Sequence, residues 1–340
     1  MAAVTYLFGA GASCECLPLI KNVPDRLEVF RVLIDGYNPG DLHAEFRQSG
    51  QTKASIKNEI NSALTDLIAK VKLHASIDTY AKKLALTQNP NYIILKILLS
   101  FSFIYDQMTI PPDRRYDAFF ASIMKSNILS FLDIRILSWN YDYQFEKAFS
   151  EFRNEKSLKK IQHELNVIPF DADVRQSDRF SIFKLNGTTA FRNQNDVFNP
   201  LDDLWSIDKF SLIEKLFEYF AEFKRSDAKV TSMIGFAWES NGFSRLILNE
   251  AKRDIEKTRA IVVIGYSFPF FNRDIDREIF ANIKPDVKIY VQDINCEMVI
   301  NNLISILPRG TEFKYKPIPI NIVEQKDKKD IVQFYLPAEL

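Results

Sequence analysis

Cysteine pairs, net charge and long apolar runs are all scarce in this 340-residue chain. Only three cysteines occur, Cys14, Cys16 and Cys296. They cannot build a four-cysteine zinc site, and an odd number disfavours a disulfide framework. The two-residue step from Cys14 to Cys16 suits neither a C-x-x-C redox pair nor an easy bridge, so reduced thiols in a cytosol are expected. Lys+Arg and Asp+Glu both number 44, which leaves no overall field to recruit nucleic acid or an anionic membrane. No direct nucleic-acid partner, no membrane and no metal are expected. The first residues lack the basic region and long apolar core of a signal peptide. The most apolar stretch, NYIILKILLSFSFIY (91–105), contains Lys96 and is too short for a membrane span. It reads as a buried helix of a cytoplasmic protein. The tripeptide NGT at 186–188 matches a glycosylation acceptor and, without a secretion signal, reads as chance.

What is present suits a globular enzyme-sized chain, with 46% hydrophobic residues and 28 Phe. The length allows one large α/β domain or two ordinary ones. Apolar, β-rich runs occur at VTYLF (4–8), IRIL (134–137), FSIFKL (180–185), VTSMIGFA (230–237), AIVVIGYSF (260–268) and VKIYVQD (287–293). Continuous runs such as AIVVI predict strands buried on both faces, as in parallel sheets flanked by helices. Between them lie helical patterns. Residues 55–71 place Ile56, Ile60, Leu64, Leu67 and Val71 on one face, and 211–223 do so with Leu212, Leu216, Tyr219, Phe220 and Phe223. Alternation of strand and helix predicts an α/β chain with a Rossmann-like, doubly wound parallel sheet. The gap between the first two strands is too long for an ordinary crossover, so a single domain over 1–340 is expected to carry a helical insertion at 41–125. The charged stretch EQKDKKD (324–330) reads as a solvated surface segment.

Ligands of open parallel sheets bind beyond the carboxyl ends of the strands. At that end the first strand is followed by GAGAS (9–13), whose glycines would let backbone approach a phosphate closely. IRILS is followed by WNYDYQFE, with Asn140 and Asp142 near a helix start. FSIFKL leads to Asn186 and Gly187, AIVVI to Gly265 and Ser267, and VKIYV to Asp293 and Asn295. Each cluster also has a bland explanation. GAGAS can be a tight corner, Asn140 and Asp142 helix caps, and the glycines plain turns. Five such clusters at the same end of five strands outline a dinucleotide cleft.

The ordered motifs FGAGAS, SIDTY (76–80), WNYDYQFE, KLNG (184–187), FAWE (236–239), GYSF (265–268) and VQDIN resemble the sirtuin-like NAD-binding domains. The resemblance is to the bacterial NAD-consuming type found in anti-phage defence, and it spans almost the whole chain. It implies that Gly9, Ala10, Gly11 and Ser13 cradle the pyrophosphate, that Gly265 and Ser267 close around phosphates and ribose, and that Asp293 takes the adenosine ribose. It further implies that Asn140 positions the attacking water beside the nicotinamide ribose, that Asp142 braces that loop, and that Asp78 lines the pocket from the helical insertion.

Two departures from the family pattern matter. The zinc ribbon of deacetylating sirtuins cannot be built, so the deacetylase expectation falls. Where the family carries a catalytic histidine in K-L-H-G, this chain has Asn186, and His43, His74 and His163 lie outside the motifs. The expected activity is NAD+ hydrolysis with nicotinamide release, NAD being substrate. The alternative is an impaired subunit that binds NAD or ADP-ribose. A destructive activity without an obvious sensor segment implies control by a regulatory partner protein or by homo-oligomer assembly.

Overall fold

Every residue of Val4–Phe8 (β1) is buried, as is every residue of Ile134–Ser138 (β2), Val167–Ile168 (β3), Ser181–Lys184 (β4) and Ala260–Ile264 (β8). With Lys288–Asp293 (β9) and Ile318–Asn321 (β10) they form one parallel sheet, ordered β10-β9-β8-β1-β2-β4-β3. The chain builds outward from β1 on one side, returns to place β8 against the other side of β1, and builds outward again. That reversal between β1 and β8 is the topological switch point of a doubly wound fold. The structure is a computed structural model describing residues 4–38, 50–124, 134–168, 180–193, 196–198, 208–223, 230–239, 242–281, 283–308, 315–321 and 333–340. The 324–330 segment and His43 lie outside the described residues.

The unbroken apolar runs are explained by the two faces of the sheet. Leu7, Leu137, Phe183, Val263 and Val291 point into one core, packed with helices α9 (Gly242–Ile255), α10 (Arg273–Phe280) and α11 (Cys296–Ile306). Their strand neighbours Tyr6, Phe8, Ile136, Ile182 and Val262 point into the other, shared with α5 (Arg114–Ile123), α6 (Gln144–Arg153) and α7 (Leu158–Glu164). Successive strand side chains alternate between faces, so a sheet covered on both sides needs apolar residues at both parities. The charged exception on β2 is Arg135, buried and paired with Asp254 of α9 at 3.1 Å.

The chain divides into two compact units. The sheet and its six helices belong to the first, which comprises Met1–Glu15, Pro112–Gly187 and Gly235–Leu340. The second, Cys16–Pro111 with Thr188–Ile234, holds α1 (Val23–Gly36), α2 (Lys53–Lys72), α3 (Ile77–Leu86), α4 (Asn91–Thr109) and α8 (Lys209–Phe223). The apolar stripe expected on α2 is buried at all five positions. Thr52 and Ser76 start α2 and α3 by accepting the N–H groups of Ser55 and Thr79, both at 3.2 Å. Residues 91–105 form most of α4, largely buried, and among the described residues no single helix is long and apolar enough to cross a membrane.

Two expectations are redrawn by this arrangement. The helical segment expected at 41–125 is divided, because α5 packs on the parallel sheet through Phe119 and Phe120 while α2, α3 and α4 pack with α1 and α8. The run VTSMIGFA does not join the parallel sheet. Its strand, Val230–Ile234 (β7), lies in a three-stranded sheet with Gly187–Asn193 (β5) and Asp196–Phe198 (β6), in the order β6-β5-β7. Apolar character alone does not say which sheet a strand joins.

Candidate functional site

The register of the sheet aligns the loops. Lys184 pairs with Ser138, Ser138 with Phe8, Phe8 with Ile264 and Ile264 with Gln292. The next residue on each strand is therefore Leu185, Trp139, Gly9, Gly265 and Asp293. The ladder continues one step beyond the strands, with N–H donation from Leu185 to Ser138 O (2.8 Å), Trp139 to Phe8 O (3.0 Å), Gly9 to Ile264 O (3.0 Å) and Gly265 to Gln292 O (3.1 Å). All five polar clusters thus leave one edge of one sheet in a row.

At the switch point the two glycine loops touch each other. A Cβ on Gly11 would stand 2.8 Å from Gly265 Cα, and one on Gly9 would stand 2.6 Å from Gly265 O. Gly265 has φ +58°, and a Cβ there would lie 2.4 Å from the Ala12 nitrogen. The Gly11 N–H donates to Gly265 O at 2.9 Å and the Ala12 N–H to Gly9 O at 2.9 Å. The contact adds a second reason for the glycines beside close approach to a phosphate. Their missing side chains are needed for loop-to-loop contact in the protein itself.

The corner Ala10–Ser13, one 3-10 turn, is also gripped from α5, which sequence reasoning missed. Arg115 donates to the carbonyls of Ala12 (2.9 Å) and Gly11 (3.4 Å) and is itself held by the buried carboxylate of Asp113. Tyr116, fully buried, shares a 2.7 Å hydrogen bond with Ser13 Oγ. The segment PPDRRYD carries no local pattern announcing this role, because the contact spans about a hundred residues of chain.

Asn140 is buried, and its side-chain amide donates to Gly9 O (3.0 Å) and Ser13 Oγ (3.1 Å). It therefore ties the loop after β2 to the loop after β1, which a helix cap would not do. Asp142 does behave as a cap, since its Oδ1 accepts the Gln144 N–H at 3.2 Å where α6 begins. Burial pushes the Asp142 and Glu146 carboxyls up, opposed chiefly by the Lys184 ammonium. Lys184 is wholly buried, donates to the Asp142 carbonyl and lies 3.3 Å from Glu146 Oε2. The strand Lys of KLNG is thus the cation under the WNYD loop.

Asn186 follows on β4. Its Nδ2 donates to Trp139 O at 3.3 Å, its backbone carbonyl accepts the Gly235 N–H, and its Oδ1 is buried without a hydrogen-bond partner. Tyr141 Oη donates to the Gly235 carbonyl at 3.0 Å. The FAWE turn therefore joins Asn186 and the Asn140 loop. Glu239 closes that turn reciprocally. Its N–H donates to Phe236 O, and its Oε2 accepts the Phe236 N–H, both at 2.8 Å.

The remaining candidates are placed less tightly. Ser267 is exposed, and its carbonyl accepts from Asn302 of α11 at 2.9 Å. Asp293, half-buried at the end of β9, accepts the Asn295 N–H at 2.9 Å and leads into α11. Between Gly265 and Ser267, Tyr266 is buried, stacks on Trp139 with centroids 5.8 Å apart, and donates to both oxygens of buried Asp276. Ala10 lies in the GAGAS corner. Asp78 belongs to the second unit, in the first turn of α3, and its carboxyl is raised by burial.

The fold and this row of loops define a class: an α/β chain with a doubly wound parallel sheet and a glycine-lined switch point. No family model matches the chain, and no curated protein matches it. Among solved structures it is similar to a Sir2 homolog in complex with NAD, at 12% identity and TM-score 0.40, covering 93% of this chain and 83% of that one. It is likewise similar to Sir2Tm bound to a propionylated peptide, at 8% identity and TM-score 0.40, covering 86% of this chain and 81% of that one.

Proposed function

We propose that this chain binds NAD+ as substrate along the row of strand-end loops and is a sirtuin-like NAD+ glycohydrolase, the effector subunit of a bacterial anti-phage complex. The observation that supports this reading is the placement of Asn140. It is buried beside the switch point and hydrogen-bonded to both Gly9 and Ser13. The residues present suit the ligand. Asn186 Oδ1, a buried acceptor without a partner, matches a donor such as a ribose hydroxyl, and Asp293 offers a carboxylate at the end of β9, on the other side of the switch point.

The chemistry asks little of an acid. Nicotinamide is cationic in NAD+ and leaves neutral, so departure needs no proton. The protein must hold the dinucleotide, stabilise an oxocarbenium-like transition state and place a water. Asn140 has the polar character and the fixed position for that last task. Asn186 can hydrogen-bond a hydroxyl but takes up no proton at neutral pH. For that reason a second reading stands beside the first: an NAD- or ADP-ribose-binding subunit without turnover.

Incubating the purified chain with NAD+, alone and with the products of neighbouring genes, and following nicotinamide separates the two. Release supports the hydrolase. ADP-ribose binding by calorimetry with no release under any condition supports the binding subunit. The regulatory partner or homo-oligomer belongs to the same proposal. A monomer by light scattering, fully active and indifferent to its neighbours, would contradict it.

A further inference from the structure

Hydrolysis of the nicotinamide bond transfers a proton from water, and position 186 holds an amide that takes none. The carboxylates of the first unit near the Asn140 and Asn186 loops differ sharply in access. Asp142 is 1% exposed, sits over Lys184, and has Oδ1 engaged by the Gln144 N–H. Glu146 is buried deeper, against Lys184. Asp293 lies at the end of β9, beyond β8 and β1 from these two loops. Glu239 is half-buried at Asn186 itself.

Gly235 measures how near. A Cβ placed on it would stand 3.3 Å from Asn186 O and 3.5 Å from Glu239 Oε2. Gly235 also donates its N–H to Asn186 O and accepts from Tyr141, the residue after Asn140. The turn holding Glu239 is therefore hydrogen-bonded directly to both asparagine loops. No side chain stands between its carboxylate and Asn186 at the Gly235 position, because Gly235 has none.

Resting on the hydrolase reading above, we infer that Glu239 is the general base of this site, serving from the FAWE turn in place of a base at position 186. As the C1′–N bond of the nicotinamide ribose breaks, its electron pair neutralises the pyridinium nitrogen. Water oxygen bonds to C1′, and its proton passes to the Glu239 carboxylate and then to solvent. The products are ADP-ribose, nicotinamide and one proton, with no other reactant.

The test uses the whole chain together with whatever partner activates it. Glu239→Gln keeps an oxygen acceptor for the Phe236 N–H and removes the carboxylate that would take a proton. It should lower kcat for nicotinamide release by about 10²–10⁴-fold, the usual range for general-base assistance, with ADP-ribose affinity unchanged by calorimetry. Added formate should restore part of the rate in Glu239→Ala, since a free carboxylate can enter the vacated space. A folded Glu239→Gln protein turning over at the parent rate overturns the assignment and leaves the hydrolase standing. Absence of formate rescue in folded Glu239→Ala overturns it too. A parent chain that binds ADP-ribose yet releases no nicotinamide with any partner removes the hydrolase reading, and Glu239 as base falls with it.

Discussion

The two sides of the strand-end row are held together by opposite chemistry. Between the loops after β1 and β8, backbone meets backbone, and the contact exists because Gly9, Gly11 and Gly265 carry no side chain. Between the loops after β2 and β4, the contact is made by polar side chains: buried Lys184 under the Asp142 carbonyl, buried Glu146 beside it, and half-buried Asn186 on Trp139 O. The first side can accept no added atom. The second can accept a change of shape, but it cannot lose one partner of a pair, because the remaining charge would be left in a dry environment. Asn140 bridges the two.

That contrast is open to measurement. The largest effect is expected at Gly265→Val. It forces a β-branched residue into φ +58° with its Cβ 2.4 Å from the Ala12 nitrogen. Left-handed strain and overpacking together should cost about 4 kcal/mol or more, a large share of ordinary domain stability. Thermal denaturation or loss of soluble protein reads this out. On the polar side, Lys184→Met strands the Glu146 and Asp142 carboxyls and should cost about 3–5 kcal/mol. Adding Glu146→Gln should recover part of that loss in urea unfolding, whereas no second substitution should rescue the glycine side.

Asn140→Ala probes the bridge. It removes donors to Gly9 O and Ser13 Oγ and should cost about 1–3 kcal/mol, leaving a folded protein without nicotinamide release. A smaller, pH-dependent effect is expected beneath the glycine side at Asp276. Burial raises its carboxyl well above the ordinary value of 3.8, while the Tyr266 hydroxyl acts the other way. Between that ordinary value and the raised native one, the folded state binds more protons than the unfolded state. The contribution of Asp276 to stability is thus fully present below about pH 4 and is lost as pH rises. Asp276→Asn keeps an acceptor for Tyr266 and should flatten this decline in urea titrations between pH 4 and 7. The smallest effect is the control. Gly36, the last residue of α1, has nothing within 4 Å of an added Cβ. Gly36→Ala should raise stability by about 0.4–1 kcal/mol, and a loss there would mean that Gly36 is required for something other than space.

Much of the fold was legible in sequence, for local reasons. Residues 4–8 and 134–137 form buried strands as their composition predicts, and the 55–71 stripe is buried at each expected position. Short strands escaped notice: Val167–Ile168 is too brief for any periodicity, and Ile318–Asn321 contains a proline that argues against a central strand. That proline is tolerated because β10 is the edge of the sheet. In the site, Asn140 and Asn186 were legible as polar residues following apolar strands. Arg115, Tyr116 and Glu239 were not, since nothing in PPDRRYD or FAWE signals which distant loop each will meet.

The sequence by itself determined which segments are buried strands and which are amphipathic helices. It also determined that polar and glycine clusters follow five of those strands. These are consequences of local spacing, and burial enforces them wherever the strands end up. Only the tertiary structure decided that Gly11 and Gly265 share one contact, that Arg115 grips the Ala12 carbonyl, and that Glu239 stands at Asn186. The reason lies in strand order and register. Pairing Phe8 with both Ser138 and Ile264 sets three remote loops side by side, and no residue within any one loop carries that information.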